Sequence, residues 1–363
     1  TTNVLEYSSL LNIKIYRRFT MKVGIINVTG YAGAEVARIL SEHEEVEIAC
    51  VTGRSGAGKN ISDIFPHLAN LDMEISPTLD KSVDFVFSAL PHAASAEALK
   101  DAINSGIKGV DISADFRIRN LDTYSEWYNV EHPCPELLES SAYGLPELHR
   151  SAIKDCQIAA NPGCYPTASI LGLAPALQAG IIEPEVIVDA KSGVSGAGRG
   201  LSLKIHYSEV NENVSAYGLD GHRHMPEISQ ELDLLSNQHI NLTFLPHLIP
   251  MTRGILASCY APLKNSFIET GGDLKSEVKG LYTDFYKEER FTHVVDAPPM
   301  TKQTLGSNDC VIYPTVDLRA GRLMVVSCID NLVKGAAGQA IQNMNIMCGM
   351  PEDLGLTQLA IYP

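Results

Sequence analysis

The stretch 22-KVGIINVTGYAGAEVARIL-40 decides how the chain is read. It opens with an apolar run of strand length and crosses a glycine-containing turn. It then continues as "GAEVARILSEH" (33–43), with apolar residues at helical spacing. Such a turn is where a dinucleotide pyrophosphate would rest on backbone N–H groups. The glycines stand at Gly30 and Gly33, with Gly24 too early and Asn27 where the usual fingerprint has its first glycine. Asparagine tolerates left-handed backbone, so the turn survives while the strict motif is broken. Alone, the stretch suits a nucleotide turn and a purely structural one equally.

The strand–helix alternation continues outward from it. "VEIACVT" (46–52), "VDFVFSAL" (83–90) and "IKGVDIS" (107–113) read as strands, and "AASAEALKDAINSG" as a helix closed by Gly106. Short apolar strands alternating with helices predict a doubly wound parallel sheet of Rossmann type. From about residue 185 the strands come in a run: 185–194, 241–249, 253–263, 310–318 and 322–330. That predicts a mixed or antiparallel sheet with helices on one face. The helix "NLVKGAAGQAIQNMNIM", near the end, is expected to pack back on the first unit. The class is therefore α/β followed by α+β, in two domains: 21–163 plus 331–363 for the nucleotide, and 164–330 for catalysis and oligomerisation. Residues 1–20 fit the core pattern poorly. They read as an upstream extension or expression remnant, or, from Arg17, Arg18 and a single acid, as a transit peptide.

At 363 residues two domains are the prior expectation. A formal charge of −15 argues against a nucleic-acid partner. No apolar run approaches the ~20 residues that span a bilayer. Eight cysteines without a CxxC pair or zinc-finger spacing predict reduced thiols, a cytoplasmic location and no metal site.

The end of the second strand chooses between cofactors. An NAD site would carry Asp or Glu there, whereas the chain reads "VTGRSGAGK" (51–59). Arg54 and Ser55 suit a 2′-phosphate, so NADP is favoured; the plain alternative is a solvated basic loop. In "NPGCYPTAS" (161–169), Cys164 stands in a rigid Pro/Gly turn just before a helical run. A helix N-terminus lowers a thiol pKa, and Gly163 would let a substrate pass closely, so Cys164 reads as a nucleophile. The other seven cysteines read as buried hydrophobes. "GLDGHRHMPEI" (218–228) supplies His222 and His224 as acid–base candidates, with Pro226 suiting a first helical turn. His92, His206 and His247, near strand ends, read as structural. For an anionic substrate there are Arg117 in "SADFR", Ser192, Ser195 and Arg199 in "KSGVSGAGRG", and Arg253 in "PMTRGIL".

In order along the chain, "GYAGAEVARIL", "SALPH", "DISADFR", "AANPGCYPTA", "DAKSGVSGAGRG", "EVNENVSAYGLDGHRHMPEI", "PHLIPMTRGI" and "NLVKGAAGQA" together resemble the N-acetyl-gamma-glutamyl-phosphate reductases. These are relatives of the aspartate-semialdehyde and glyceraldehyde-phosphate dehydrogenases. The resemblance implies an NADPH-dependent acyl-phosphate reductase of arginine biosynthesis that works through a cysteine thioester. It implies Cys164 as nucleophile, His222 ahead of His224 as the acid–base, and Arg117 on the acyl phosphate. It further implies cofactor contacts at Thr29, Gly30, Tyr31, Gly33, Arg54, Ser55, Ser88, Pro91, His92 and Asn331, and a homo-oligomer, dimer or tetramer. Three rivals remain: the same chemistry on an aminoadipyl phosphate carried by a protein, a cofactor-free thiol hydrolase, and a non-enzymatic NADPH sensor.

Overall fold

The structure is a computed structural model that describes residues 20–80 and 82–363. The expected N-terminal segment therefore lies, except for Thr20, outside the described residues.

The first sheet is wholly parallel. Its strands are β1 (Met21–Ile26), β2 (Val46–Val51), β3 (Phe85–Ser88), β4 (Lys108–Asp111), β5 (Ser141–Tyr143) and β6 (Ile158–Ala160), in the order β2-β1-β3-β4-β6-β5. The four residues of β3 are all buried, as a strand covered on both faces requires. Helices α1 (Tyr31–Leu40), α2 (Ser95–Asn104), α3 (Leu121–Tyr128) and α4 (Pro146–Asp155) connect these strands. Strands β5 and β6, three residues each, extend the sheet beyond the four strands that the apolar runs predicted.

The second sheet has seven strands. They are β7 (Glu185–Ser192), β8 (Ser215–Ala216), β9 (Asn241–Leu248), β10 (Ile255–Pro262), β11 (Thr292–Val294), β12 (Cys310–Asp317) and β13 (Arg322–Ile329). Their order is β11-β12-β13-β10-β7-β9-β8, with β7–β9 and β11–β12 parallel and the other pairs antiparallel. Burial alternates along β10 and β12, residue by residue. One face packs under α5 (Cys164–Gln178), α6 (Met225–Ser236) and α7 (Leu274–Tyr286), and the other stays half-exposed. Helix α5 is buried almost all round, with a core of Ile170, Leu171, Leu173 and Leu177. After β13 the chain makes a π-helical turn, Val333–Ala337, and ends in α8 (Gly338–Met347), which packs against α1, α4 and β4. This helix thus packs against elements of the first sheet's layer.

Candidate active site

Cys164 is the first residue of α5, capped by Gly163 in extended conformation. Segments distant in sequence close around it. The Gly163 N–H donates to Glu227 Oε1 at 2.8 Å, from the first turn of α6. Glu227 Oε1 also accepts from the Tyr143 hydroxyl at 2.8 Å, and Oε2 from Arg117 Nη1 at 3.2 Å. The π-helical turn lies against the other side, so close that a β-carbon on Gly335 would stand 2.7 Å from Cys164 Cβ. π-Turns recur at functional sites, and here the wider turn brings bare backbone to the thiol.

The histidines belong to the same segment as Glu227. A β-carbon on Gly163 would stand 2.5 Å from His224 Nε2, so the imidazole rests directly on that glycine. The space at Gly163 is taken by His224, not by a path for substrate as the sequence led us to expect. His222 lies alongside, ring centroids 4.8 Å apart, and its Nδ1 accepts the His224 backbone N–H at 3.1 Å. Tyr165 packs edge-on against both rings, and its hydroxyl donates to His247 O. Among the described residues, the buried His224 Nδ1 has no hydrogen-bond partner.

Burial sets the protonation of all three groups. It pushes the Cys164 thiol up to about 11, against the weaker pulls of the Tyr165 N–H and Arg117. That reverses the expectation that the helix N-terminus would dominate. Burial, with Arg223 adding to it, lowers His222 to about 4. Burial and then the neighbouring His222 and Arg117 hold His224 well below the usual imidazole value. The resting site is therefore a neutral thiol beside two neutral imidazoles, one with an unclaimed nitrogen.

The arginines are placed differently from the sequence reading. Arg117 is buried, and each of its nitrogens has a protein acceptor: Nε on Asn161 O, Nη1 on Glu227 and Nη2 on Ile112 O. Arg253 makes a bidentate pair with Glu35 of α1, both distances 2.9 Å, and lies 3.6 Å from Asp330. Burial opposes ionisation of Glu35, yet Arg253 and Arg38 outweigh it and hold the carboxyl at about 2. Arg199 stacks 4.8 Å over the Phe65 ring and donates to Thr29 O at 3.3 Å. Both therefore reach from the second domain onto the strand–helix unit of the first. Ser192 and Ser195 are buried: the Ser192 hydroxyl donates to Gly193 O, and Ser195 Oγ accepts from Asn331 Nδ2. The Asn331 carbonyl accepts from Gly254 N, so its amide braces two loops.

The first-domain residues converge at the carboxyl ends of β1, β2 and β3. Asn27 has φ +66°, the left-handed corner that its side chain permits. A β-carbon on Gly33 would stand 2.4 Å from Asn27 O, so α1 packs directly on the turn. Helix α1 starts after Gly30 with no side-chain cap and no acid in its first turn. Its leading N–H groups are thus left for another acceptor, which fits a pyrophosphate. Gly53 packs on Thr29, a β-carbon there standing 2.8 Å from the threonine methyl, and carries exposed Arg54 and Ser55 beside the turn. Tyr31 and Pro91 are exposed, and His92 contacts Arg223 and packs at a tilt against the Tyr128 ring. The Ser88 side chain faces inward, buried and hydrogen-bonded to Ser95 Oγ. His206 is exposed, at the start of a four-residue helix, and His247 lies within β9, 3.2 Å from Asp189.

Glu227, Tyr143 and Gly335 were missed by the sequence reading as site residues. Glu227 lies inside the histidine motif, where a buried acid one turn into a helix was the available signal.

The fold and the site together define a semialdehyde dehydrogenase. The semialdehyde dehydrogenase NAD binding domain family matches residues 22–156, and the semialdehyde dehydrogenase dimerisation domain family matches residues 164–331. Aspartate semialdehyde dehydrogenase II of Vibrio cholerae has the same fold, with TM-score 0.67 at 16% identity over 91% of this chain and 99% of that one. The Candida albicans enzyme, solved with NADP, matches with TM-score 0.66 at 16% identity over 91% and 98%. Within that class the chain belongs to the N-acetyl-gamma-glutamyl-phosphate reductase family. It is 54% identical over 343 residues to the Dehalococcoides mccartyi strain 195 member, covering 94% of this chain and 99% of the relative. The Pelotomaculum thermopropionicum member is 48% identical over 351 residues, with the same coverage.

Proposed function

We propose that this chain converts N-acetyl-gamma-glutamyl phosphate and NADPH to N-acetyl-glutamate semialdehyde, phosphate and NADP, with Cys164 as the nucleophile. The observation that carries the reading is the neutral His224 ring seated on Gly163, directly beside a cysteine that begins a helix. Because burial keeps the thiol protonated, the sulfur has to lose its proton as it attacks. That favours concerted general-base removal over a preformed thiolate. His224 is the acceptor of choice, since its Nε2 edge lies against Gly163, the residue before Cys164. Attack on the acyl carbon forms the C–S bond of a thioester and breaks the C–O bond to phosphate. Bound NADPH would supply the hydride. Collapse of the thiohemiacetal on Cys164 then re-forms the thiol and frees the aldehyde, with the same imidazole managing the proton. Glu227 and Arg117 act as positioning residues that hold the Gly163 turn.

For the cofactor, the α1 N-terminus with Gly30 and Gly33 would hold the pyrophosphate, and Arg54 with Ser55 the 2′-phosphate. Cytoplasmic work belongs to the same proposal, supported by eight free cysteines. So does a homo-oligomer. The half-exposed face of the second sheet carries a row of Met324, Tyr260 and Ile187 and a neighbouring pair of Tyr313 and Val326, which a second copy would cover. No helix among the described residues is long and apolar enough to cross a membrane.

The test runs the reaction backward with NADP, phosphate and either N-acetyl-glutamate semialdehyde or the aldehyde one methylene longer. Preference for the shorter substrate is expected, and Cys164→Ser should abolish turnover while retaining NADPH binding. A preference for the longer aldehyde would replace the substrate, and NADPH binding without any aldehyde oxidation would leave a sensor.

A further inference from the structure

Asn27 breaks the nucleotide fingerprint, yet it does more than turn the corner. Its Nδ2 donates to Ala89 O at 2.8 Å, and its Oδ1 accepts the Thr29 hydroxyl at 3.2 Å. Its own N–H points to Thr52 Oγ1 at 3.4 Å. One half-buried side chain therefore joins the β1–α1 turn to the first residue of the loop after β3. That loop, 89–94, carries Pro91 and His92 and contains Ala93 at φ +65°. Its far end is pinned as well: the Asp115 carboxylate accepts the Ala93, Ser95 and Ala96 N–H groups at 2.6, 3.0 and 2.9 Å. The loop is thus tied at both ends; at the near end the Asn27 side chain reinforces the backbone bond from Ala89 N–H to Ile26 O at 3.0 Å.

A glycine at 27 would adopt the same φ without strain, so the corner alone does not require asparagine. What glycine lacks is the strut. We propose that Asn27 is a positioning residue that presets the separation of the two walls of the dinucleotide cleft before the cofactor arrives. The proposal rests on the NADPH reading above. A cleft set in advance loses less conformational freedom on binding, so the strut should act on cofactor affinity and not on the chemical step.

The experiment compares wild type with Asn27→Gly in the full chain. NADPH affinity is read by fluorescence titration, kinetics at saturating acyl phosphate, and amide hydrogen exchange over residues 89–94. The variant should raise the Kd and KM for NADPH about 2- to 10-fold, the scale of one net hydrogen bond. Its kcat at saturating NADPH should stay within about 2-fold, and the 89–94 amides should exchange faster. An unchanged or tighter Kd overturns the proposal, as does a loss of melting temperature with no change in Kd. If wild type itself fails to bind NADPH, the cofactor reading falls and takes this proposal with it.

Discussion

Adding one methyl group at Gly163 tests the arrangement around the thiol. The backbone there, φ −66° and ψ 156°, is open to any residue, so Gly163→Ala carries no conformational penalty. Its whole effect comes from the new β-carbon, 2.5 Å from His224 Nε2 and 2.9 Å from Cδ2 and Cε1. Those separations fall about 1 Å short of ordinary contact at ~3.5–4.0 Å. The imidazole has to swing away by that amount, and a displacement of ~1 Å costs on the order of 100-fold in a positioned reaction. Overpacking should reduce stability by about 1–3 kcal/mol, leaving a folded enzyme. The expected result is therefore kcat lower by about 10- to 100-fold, an unchanged Kd for NADPH, and a cooperative melt a few degrees lower. Steady-state kinetics, a cofactor titration and a thermal scan give the three numbers. Wild-type kcat in a well-folded Gly163→Ala would refute the placement of His224 and its role as proton acceptor.

Other perturbations probe the remaining parts. With the Cys164 thiol near 11, its alkylation in the free enzyme should rise about 10-fold per pH unit from pH 7 to 10; a plateau by pH 7 would mean a preformed thiolate. His222 is depressed to about 4, so stability should be lost as pH falls from about 6.5 towards 4, where only the unfolded chain takes the proton. His222→Asn should flatten that part of the melting-temperature profile. Arg54→Ala should weaken NADP far more than NAD, and an equal loss for both would remove the 2′-phosphate assignment. Tyr260→Arg on the open sheet face should lower the solution mass measured by light scattering; an unchanged mass would place the interface elsewhere.

The parts legible in the sequence were those whose signal is local. Strands β1 to β4 announce themselves as apolar runs, whereas β5 and β6 are too short to show any period. Cys164 and the histidine pair stand in turns whose Pro and Gly chemistry is readable on its own. Arg253 and Arg199 engage Glu35 and Thr29, 218 and 170 residues away, partners that no local pattern announces. An arginine before a strand looks the same whether it awaits a substrate or a buried carboxylate. The raised thiol pKa was equally hidden, since burial comes from segments that meet only in the fold.

The Arg253–Glu35 and Arg199–Thr29 contacts bear on modularity. A nucleotide-binding half of this kind invites excision and transplantation, because its strand order is continuous up to β6. Here, cutting after residue 163 would strip α1 of one of the two guanidinium groups that neutralise Glu35, leaving only Arg38, and would strip the turn of the arginine that braces it. It would also remove α8, which fills the underside. The boundary visible in the chain is a boundary of chain tracing and not of autonomous parts, so chimeras that swap this half should carry both arginine loops and the final helix with it.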